Sequence, residues 1–246
     1  MTILFRMSRP FVSVLTPTYN RAKFIPALVD NYKAQTYPKE RMEWLVIDDS
    51  PEPIRDLFMS LTKDIPNVRY IYLDKKENIG VKRNMLNREA KGDICVCMDD
   101  DDYYSPDRVS HAVTKLMSQP SVQLAGSSEL YMYYTNTKEI VKLGPYGPNH
   151  ATNGTLAYRT QYGKTHLYDE TVTFAEEKSF LEAYKNPMVQ LDPMKVMLVM
   201  SHSENTFNKE GLKNSNSPFV KKLNPSLSKI RNFIKNPKLR EFYSSL

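Results

Sequence analysis

Cysteine is nearly absent: the 246 residues contain two, Cys95 and Cys97. Two apart on a strand, the thiols point to one face and cannot bridge each other. That excludes a disulfide framework, and a CxC pair without further cysteine or clustered histidine makes a poor zinc site. The pair reads as small buried hydrophobes in a reducing compartment. Long apolar runs are missing too, and none approaches the roughly 18–20 residues of a membrane span. The opening MTILFRMSRPFVSVL is broken by Arg6 and Arg9 and lacks a small-residue cleavage site. A first strand with a short leader is expected there, not a signal peptide, and with it a soluble, cytoplasmic chain, membrane-associated at most by its surface. No Gly-rich triphosphate loop stands near the N-terminus, which argues against a nucleotidyltransferase. There is no internal repeat.

What is present suffices for a globular core. Hydrophobic residues make up 41% and aromatics 11%, and the length suits one large domain or a domain with an appendage. The net charge of +6 is unevenly placed: residues 209–246 carry nine Lys/Arg against two Asp/Glu, which leaves −1 for residues 1–208. A nucleic-acid-binding body would itself carry the basic face, so no nucleic-acid partner is expected. A short amphipathic helix in the tail, with Leu227, Ile230, Phe233 and Ile234 on one side, would suit peripheral contact with an anionic membrane or partner, although a solvated helix is the plainer reading.

Apolar runs at Phe11–Thr16, Trp44–Ile47, VRYIYL and DICVCM predict four buried strands, and helical spacing predicts helices over 23–35, near 52–62 and over 79–91. Continuous apolar strands alternating with helices indicate a mostly parallel sheet covered on both faces. In the second half the pattern predicts a helix over Pro106–Met117 and two or three strands within 121–143. A Gly/Pro/Asn loop follows (GPYGPNHATNG), then a strand at Thr155–Tyr158, a helix over Ala175–Tyr184 and a strand over Pro193–Ser201. Ligands of such sheets bind beyond the carboxyl ends of the strands. Three strands here end in TPTYN, DDSP and DDDD, which should converge on one edge.

The four acids Asp99, Asp100, Asp101 and Asp102 stand directly behind a buried strand, where like charges repel. A solvated loop or a helix start around Asp107 is the ordinary reading. A divalent ion such as Mg²⁺ or Mn²⁺, which prefers carboxylate and phosphate oxygens, would offset the repulsion.

SVLTPTYNR, then VIDDSP, then NIGVKRNMLNREAKGDICVCMDDDDYYSP together resemble the nucleotide-sugar-binding half of family-2 glycosyltransferases with the GT-A fold. The match in order, spacing and strand context covers about residues 10–110. The resemblance implies an α/β, Rossmann-like central sheet with a smaller acceptor-side sheet. It makes residues 1–208 the transferase domain, with 10–110 the nucleotide-sugar half, 111–208 the acceptor half and 209–246 a basic tail. It places Thr16, Pro17, Thr18, Tyr19 and Arg21 at the nucleoside, Asp49 at the pyrimidine with Asp48 assisting, and Arg83 and Lys82 on the donor side. The family's Asp-x-Asp signature falls on Asp99–Asp100–Asp101, which implies Asp101 as metal ligand with Asp99 and Asp100 towards the ribose and the ion's waters. Asp102 and Tyr103 are expected to be only loop.

The same resemblance, in which a late histidine often joins the metal, makes His202 after the last apolar strand a candidate metal ligand beside Asp101 and Asp99, with a structural histidine as the alternative. His111 and His166 have no such context, and His150 is placed to touch an acceptor. TFAEEKSFLEAY resembles the family's Glu-Asp pair and puts the acceptor-activating base at Glu177, with a Glu where Asp is usual. Glu176 is the rival, Asp169 and Glu170 weaker alternatives, and two acids favouring a helix start the structural reading. The implied function is transfer of a hexosyl group from a nucleotide sugar, UDP-linked by preference, to a hydroxyl of a glycan, protein or lipid, with inversion and with Mn²⁺ or Mg²⁺. Two alternatives stand beside it: a nucleotide-sugar-binding protein with weak or no catalysis, and an adaptor acting through its tail.

Overall fold

The computed structural model describes residues 9–173, 175–205, 209–213 and 215–246. β1 (Val12–Thr18), β2 (Met42–Asp48) and β4 (Ile94–Cys97) are buried along their whole length, as both-face coverage demands. β3 (Val68–Tyr72) is half-buried throughout and closes one edge. β1 runs parallel to β2 and β4, and β2 parallel to β3. β6 (Leu124–Gly126), β9 (Ala157–Arg159) and β10 (Met188–Gln190) complete a seven-stranded sheet in the order β10-β6-β9-β4-β1-β2-β3, with only β9 antiparallel to its neighbours. A second, five-stranded sheet follows the order β12-β8-β7-β11-β5. Its strands are β5 (Tyr103–Tyr104), β7 (Leu130–Tyr134), β8 (Glu139–Leu143), β11 (Met197–Ser201) and β12 (Val220–Lys222).

Helices cover both faces of the larger sheet. Val12, Val14, Trp44 and Val46 point to the side of α1 (Ile25–Lys33), α2 (Arg55–Thr62) and α4 (Arg108–Ser118). Trp44 stacks on Tyr32 at 4.3 Å, meets Phe58 edge-on, and donates its indole N–H to Thr16 Oγ1 at 3.0 Å. Leu15, Leu45, Ile47, Cys95 and Cys97 face α3 (Ile79–Glu89) and α5 (Thr160–Thr165), so both thiols share one face and are free. Burial pushes the Cys95 thiol up to about 12, which leaves it inert.

The strand expected over Pro193–Ser201 starts only at Met197, after a 3-10 turn at Pro193–Lys195, and two expected helices differ more. The acidic helix expected over Ala175–Tyr184 is one turn, α6 (Glu177–Phe180), then a 3-10 turn. Ala175 before it and Glu182, Ala183 and Tyr184 after it have φ between 47° and 63°, and left-handed residues cannot continue a helix. In the tail, which starts with α7 (Glu210–Lys213), the stretch expected to be helical is only a 3-10 turn at Ile230–Asn232. The real helix is α8 (Pro237–Ser245), begun by Asn236, whose side chain accepts the Leu239 N–H, and by Pro237 in the first turn. Ile234, Leu239 and Tyr243 are buried against Tyr103, Leu198 and Met200, so most of the tail's apolar side faces the domain; Leu227 stays exposed. No helix among the described residues is long and apolar enough to cross a membrane.

Candidate active site

Because Thr18 pairs with Asp48 and Leu15 with Cys97, the carboxyl ends of β1, β2 and β4 lie side by side. Over that edge opens a cavity of about 570 Å³ whose walls include Pro17 and Thr18 at the end of β1, Tyr19 and Arg21 just past it, and Asp99 to Asp102 after β4. Lys82 and Arg83 enter from α3, and Glu176 from the turn before α6. The close approach of α3 to the 169–170 backbone requires Gly80, where an added Cβ would lie 2.1 Å from the Asp169 carbonyl oxygen.

Thr16, Asp48, Asp49, Glu177 and His202 do not line this cavity. The Thr16 hydroxyl is held by Trp44 in the core. Asp48 accepts from Ser50 N–H and hydroxyl, Ile54 N–H and Tyr70 O–H, so both its oxygens serve the turn into α2. Asp49 stands behind the wall, where it accepts from Lys82 Nζ and Glu77 N–H, each at 2.7 Å. Lys82 is thereby anchored at its tip with Tyr19 close by, and Lys76 Nζ lies 4.3 Å from the centroid of the same ring.

The repulsion among the four acids is offset residue by residue. Asp99 accepts from Arg83 NH1 at 3.0 Å. Arg21 lies 4.0 Å from Asp100 and 3.7 Å from Asp101. His202 Nε2 lies 3.2 Å from Asp101 Oδ2, with Asn205 Nδ2 3.3 Å from the same oxygen. Burial works against ionising Asp101, but the His202 hydrogen bond and the charges of Lys209 and Arg21 hold its carboxyl down at about 2. Asp100, buried beside that charge, is pushed well above the usual carboxylate range. Beneath them Arg108 is fully buried and donates through NH2 to the carbonyls of Cys97, Gly154 and Leu156, while its Nε and NH1 have no partner among the described residues. Burial lowers its pKa. The same guanidinium thus ties the strand end carrying the acids to the 153–155 turn.

Asp102 is not a passive loop residue, and Tyr103 starts β5. The Asp102 carboxylate accepts the Met200 N–H at 2.7 Å, and its carbonyl accepts from Tyr243 O–H at 2.8 Å and Asn31 Nδ2 at 3.2 Å. Burial raises its carboxyl to about 7. It joins the two sheets and the tail helix at one point. Asp102→Ala should therefore cost about 1–3 kcal/mol through the orphaned Met200 N–H, with Asp102→Asn, which keeps an acceptor, costing less. Urea unfolding checks this, and a wild-type midpoint for Asp102→Ala would refute it.

The two glutamates are in different states. Glu176 is buried and accepts from Arg83 Nε at 2.7 Å. Arg83, desolvated by burial, is held charged by Asp99 and Glu176, with Asn153 alongside, itself 2.7 Å from the Tyr168 hydroxyl. Glu177 has no ion-pair partner among the described residues, and burial together with the Glu176 charge pushes its carboxyl up to about 7. Glu170 accepts from Asn84 on α3, and exposed Asp169 from Thr171 in its own loop. His111 accepts the Asp192 N–H and His166 stacks on Tyr162, both away from the cavity. Lys209, Asn205 and Arg108 were not legible as site residues: no motif marks them, and only the fold brings them to the acids.

The sequence pattern that defines Glycosyl transferase family 2 matches residues 13–181. The chain belongs to that family. TuaG of Bacillus subtilis (strain 168) is 28% identical over 112 residues, which are 45% of this chain and 44% of TuaG. Glycosyltransferase AglE of Haloferax volcanii is 30% identical over 93 residues, 37% of this chain and 31% of AglE. The match thus spans less than half of either relative. Among solved structures, residues 1–349 of TarS of Staphylococcus aureus superpose with a TM-score of 0.60 at 21% identity, covering 77% of this chain and 60% of that TarS chain. The mannosyltransferase PcManGT from Pyrobaculum calidifontis, in complex with GDP-Man and Mn²⁺, gives 0.64 at 15% identity, covering 97% and 74%. The family-2 chain therefore has the GT-A fold: an α/β domain whose mixed, mostly parallel sheet is flanked by helices.

Proposed function

We propose that this family-2 chain transfers a sugar from a nucleotide sugar, UDP-linked by preference, to an acceptor hydroxyl with inversion, assisted by Mn²⁺ or Mg²⁺. The observation that carries this reading is the convergence of Arg21, Lys82, Arg83 and the acids after β4 on one cavity, with Glu177 beside the Arg83–Glu176 pair. Solved neighbours in complex with UDP, UDP-GlcNAc and GDP-Man support a nucleotide-sugar donor.

The chain's own groups divide the work. Pro17, Thr18 and Tyr19 wall the nucleoside end, and Asp49 acts there by holding Lys82. Lys82, Arg83 and Arg21 supply positive charge where a diphosphate would leave. Asp99 and Glu176 fix the Arg83 guanidinium from two sides. Glu177 takes the proton of the acceptor hydroxyl, whose oxygen attacks the sugar carbon opposite the departing diphosphate.

The donor set fits a divalent ion: an ionised carboxylate, Asp101, and an imidazole nitrogen, His202 Nε2, already lie 3.2 Å apart. Among the described residues no group of three or more His, Cys, Asp or Glu is arranged to hold an ion, so diphosphate oxygens and water would complete the shell. Bound there, the cation supplies neutralisation of the charge on the leaving diphosphate.

A panel of nucleotide sugars assayed with Mn²⁺, then with excess chelator, tests this reading. One donor class should turn over, and chelation should reduce its rate by at least about 100-fold. Equal rates with and without metal would sink the metal role. Donor binding with no transfer to any acceptor would favour a nucleotide-sugar-binding protein.

A further inference from the structure

Tyr184, His150, Tyr146 and Phe219 come from three separate stretches of chain: the turn after α6, the 144–154 loop and the residue before β12. Their rings form one run. Centroids step 4.6 Å from Tyr184 to His150, 4.8 Å on to Tyr146 and 5.0 Å on to Phe219, with interplanar angles of 28°, 43° and 39°. The core does not call for Tyr146 and Phe219, which are 37% and 39% exposed, whereas His150 is half-buried and half-buried Tyr184 also packs against the α3–α5 side of the core. The loop is nevertheless fixed: Gln190 Nε2 donates to the carbonyls of Pro148 and His150, and Tyr146 N–H donates to Ser128 O. Tyr184 is held in place by a left-handed backbone that continues from Glu182 and Ala183, a conformation costly for non-glycine residues.

The inner end of the run stands outside the cavity lining and approaches it through the turn that carries Glu176 and through residues 152–154. Burial and the nearby Glu177 carboxylate both push the Tyr184 phenol upward. Thr152, Asn153 and Gly154, just past His150, line the cavity itself. Burial lowers the His150 pKa, so its ring is neutral at neutral pH, and its Nδ1 has no partner among the described residues.

We propose that these four rings are an acceptor subsite for a carbohydrate chain. The reacting sugar stands at Glu177, and the sugars behind it lie along Tyr184, His150, Tyr146 and Phe219. This rests on the transferase reading of Glu177. A pyranose has an apolar C–H face and a rim of hydroxyls, which matches aromatic surface edged by phenol and imidazole groups. A lipid tail would instead call for a continuous aliphatic groove, and this run is open and edged by polar groups.

The test reads sugar binding directly, apart from catalysis. Linear glucose, mannose and N-acetylglucosamine oligomers of increasing length, and neutral lipid vesicles, are titrated against the full chain by calorimetry. Affinity should rise with chain length in at least one sugar series. Tyr146→Ala and Phe219→Ala should each weaken the longest oligomer about five- to tenfold, and Tyr146→Phe should retain most of the affinity. UDP affinity and the melting temperature should not change in any of them. No length dependence in any series, unchanged affinity in both alanine variants, or binding to vesicles in place of sugars would each overturn the subsite. Normal oligomer binding without transfer would count against Glu177 and leave the subsite standing.

Discussion

Glu177→Gln should lower the rate of transfer by about 10²–10⁴-fold while leaving nucleotide affinity unchanged, as expected when a positioned general base is lost. Glu176 cannot substitute, because its carboxylate is committed to Arg83 Nε. Glu177 is the uncommitted acid of the pair, and its carboxyl is pushed up to about 7 by burial and the Glu176 charge. A base must be deprotonated to act, and a raised pKa means that Glu177 is protonated below about 7. Wild-type kcat/KM should therefore rise about tenfold per pH unit up to that value and level off above it. The glutamine variant should lose this acid limb as well as the rate. Undiminished transfer by Glu177→Gln, or an unchanged pH profile, would remove Glu177 from the base position and return the question to the segment's other acids. Glutamate in place of the usual aspartate lengthens the arm, and the short α6 between left-handed residues sets where that arm starts.

Much of this architecture was legible because the strands are buried on both faces. VSVLT, EWLVID and ICVC have no polar face to hide, so continuous apolar runs between helical patterns already imply a parallel sheet and place the motifs at its carboxyl edge. The site was legible where a motif and a strand end coincide, as at Thr18 and Asp99. It was illegible where distance along the chain is large. Lys209 and Asn205 reach the acids only through the path of β11 and the residues after it. Arg108 reads as an ordinary helix-start residue until its burial under Cys97 and Gly154 is seen. Asp48 and Asp49 are adjacent and look equivalent, yet the pleat sends one into the α2 turn and the other to Lys82. The 175–184 segment misled because two acids before an apolar spacing imitate a helix start, whereas backbone sign decides whether the helix continues. The tail misled because its apolar residues outside α8 looked more periodic than those inside it.

Asp101→Ala should reduce metal-stimulated transfer by about 10²–10³-fold, and it should do so through the ion. Asp101 is held down at about 2, so it is ionised at any working pH, while burial raises both Asp100 and Asp102. A hard cation therefore finds a permanent negative charge at Asp101, with His202 Nε2 as the neighbouring donor. Removing that carboxylate also relieves repulsion within the acid run and takes away one of the acids that hold Arg21. UDP affinity without metal should accordingly hold or rise, whereas Mn²⁺ binding followed by electron paramagnetic resonance should be lost. His202→Ala takes away the weaker of the two donors and should cost about tenfold in metal affinity. Asp102→Ala, which orphans the Met200 N–H, should instead lower stability and leave Mn²⁺ binding to the folded protein intact. If Asp101→Ala binds Mn²⁺ as the wild type does, the run of acids is a structural junction, and the cations around it, Arg21, Arg83 and Lys209, would then be there to hold the acids rather than a diphosphate.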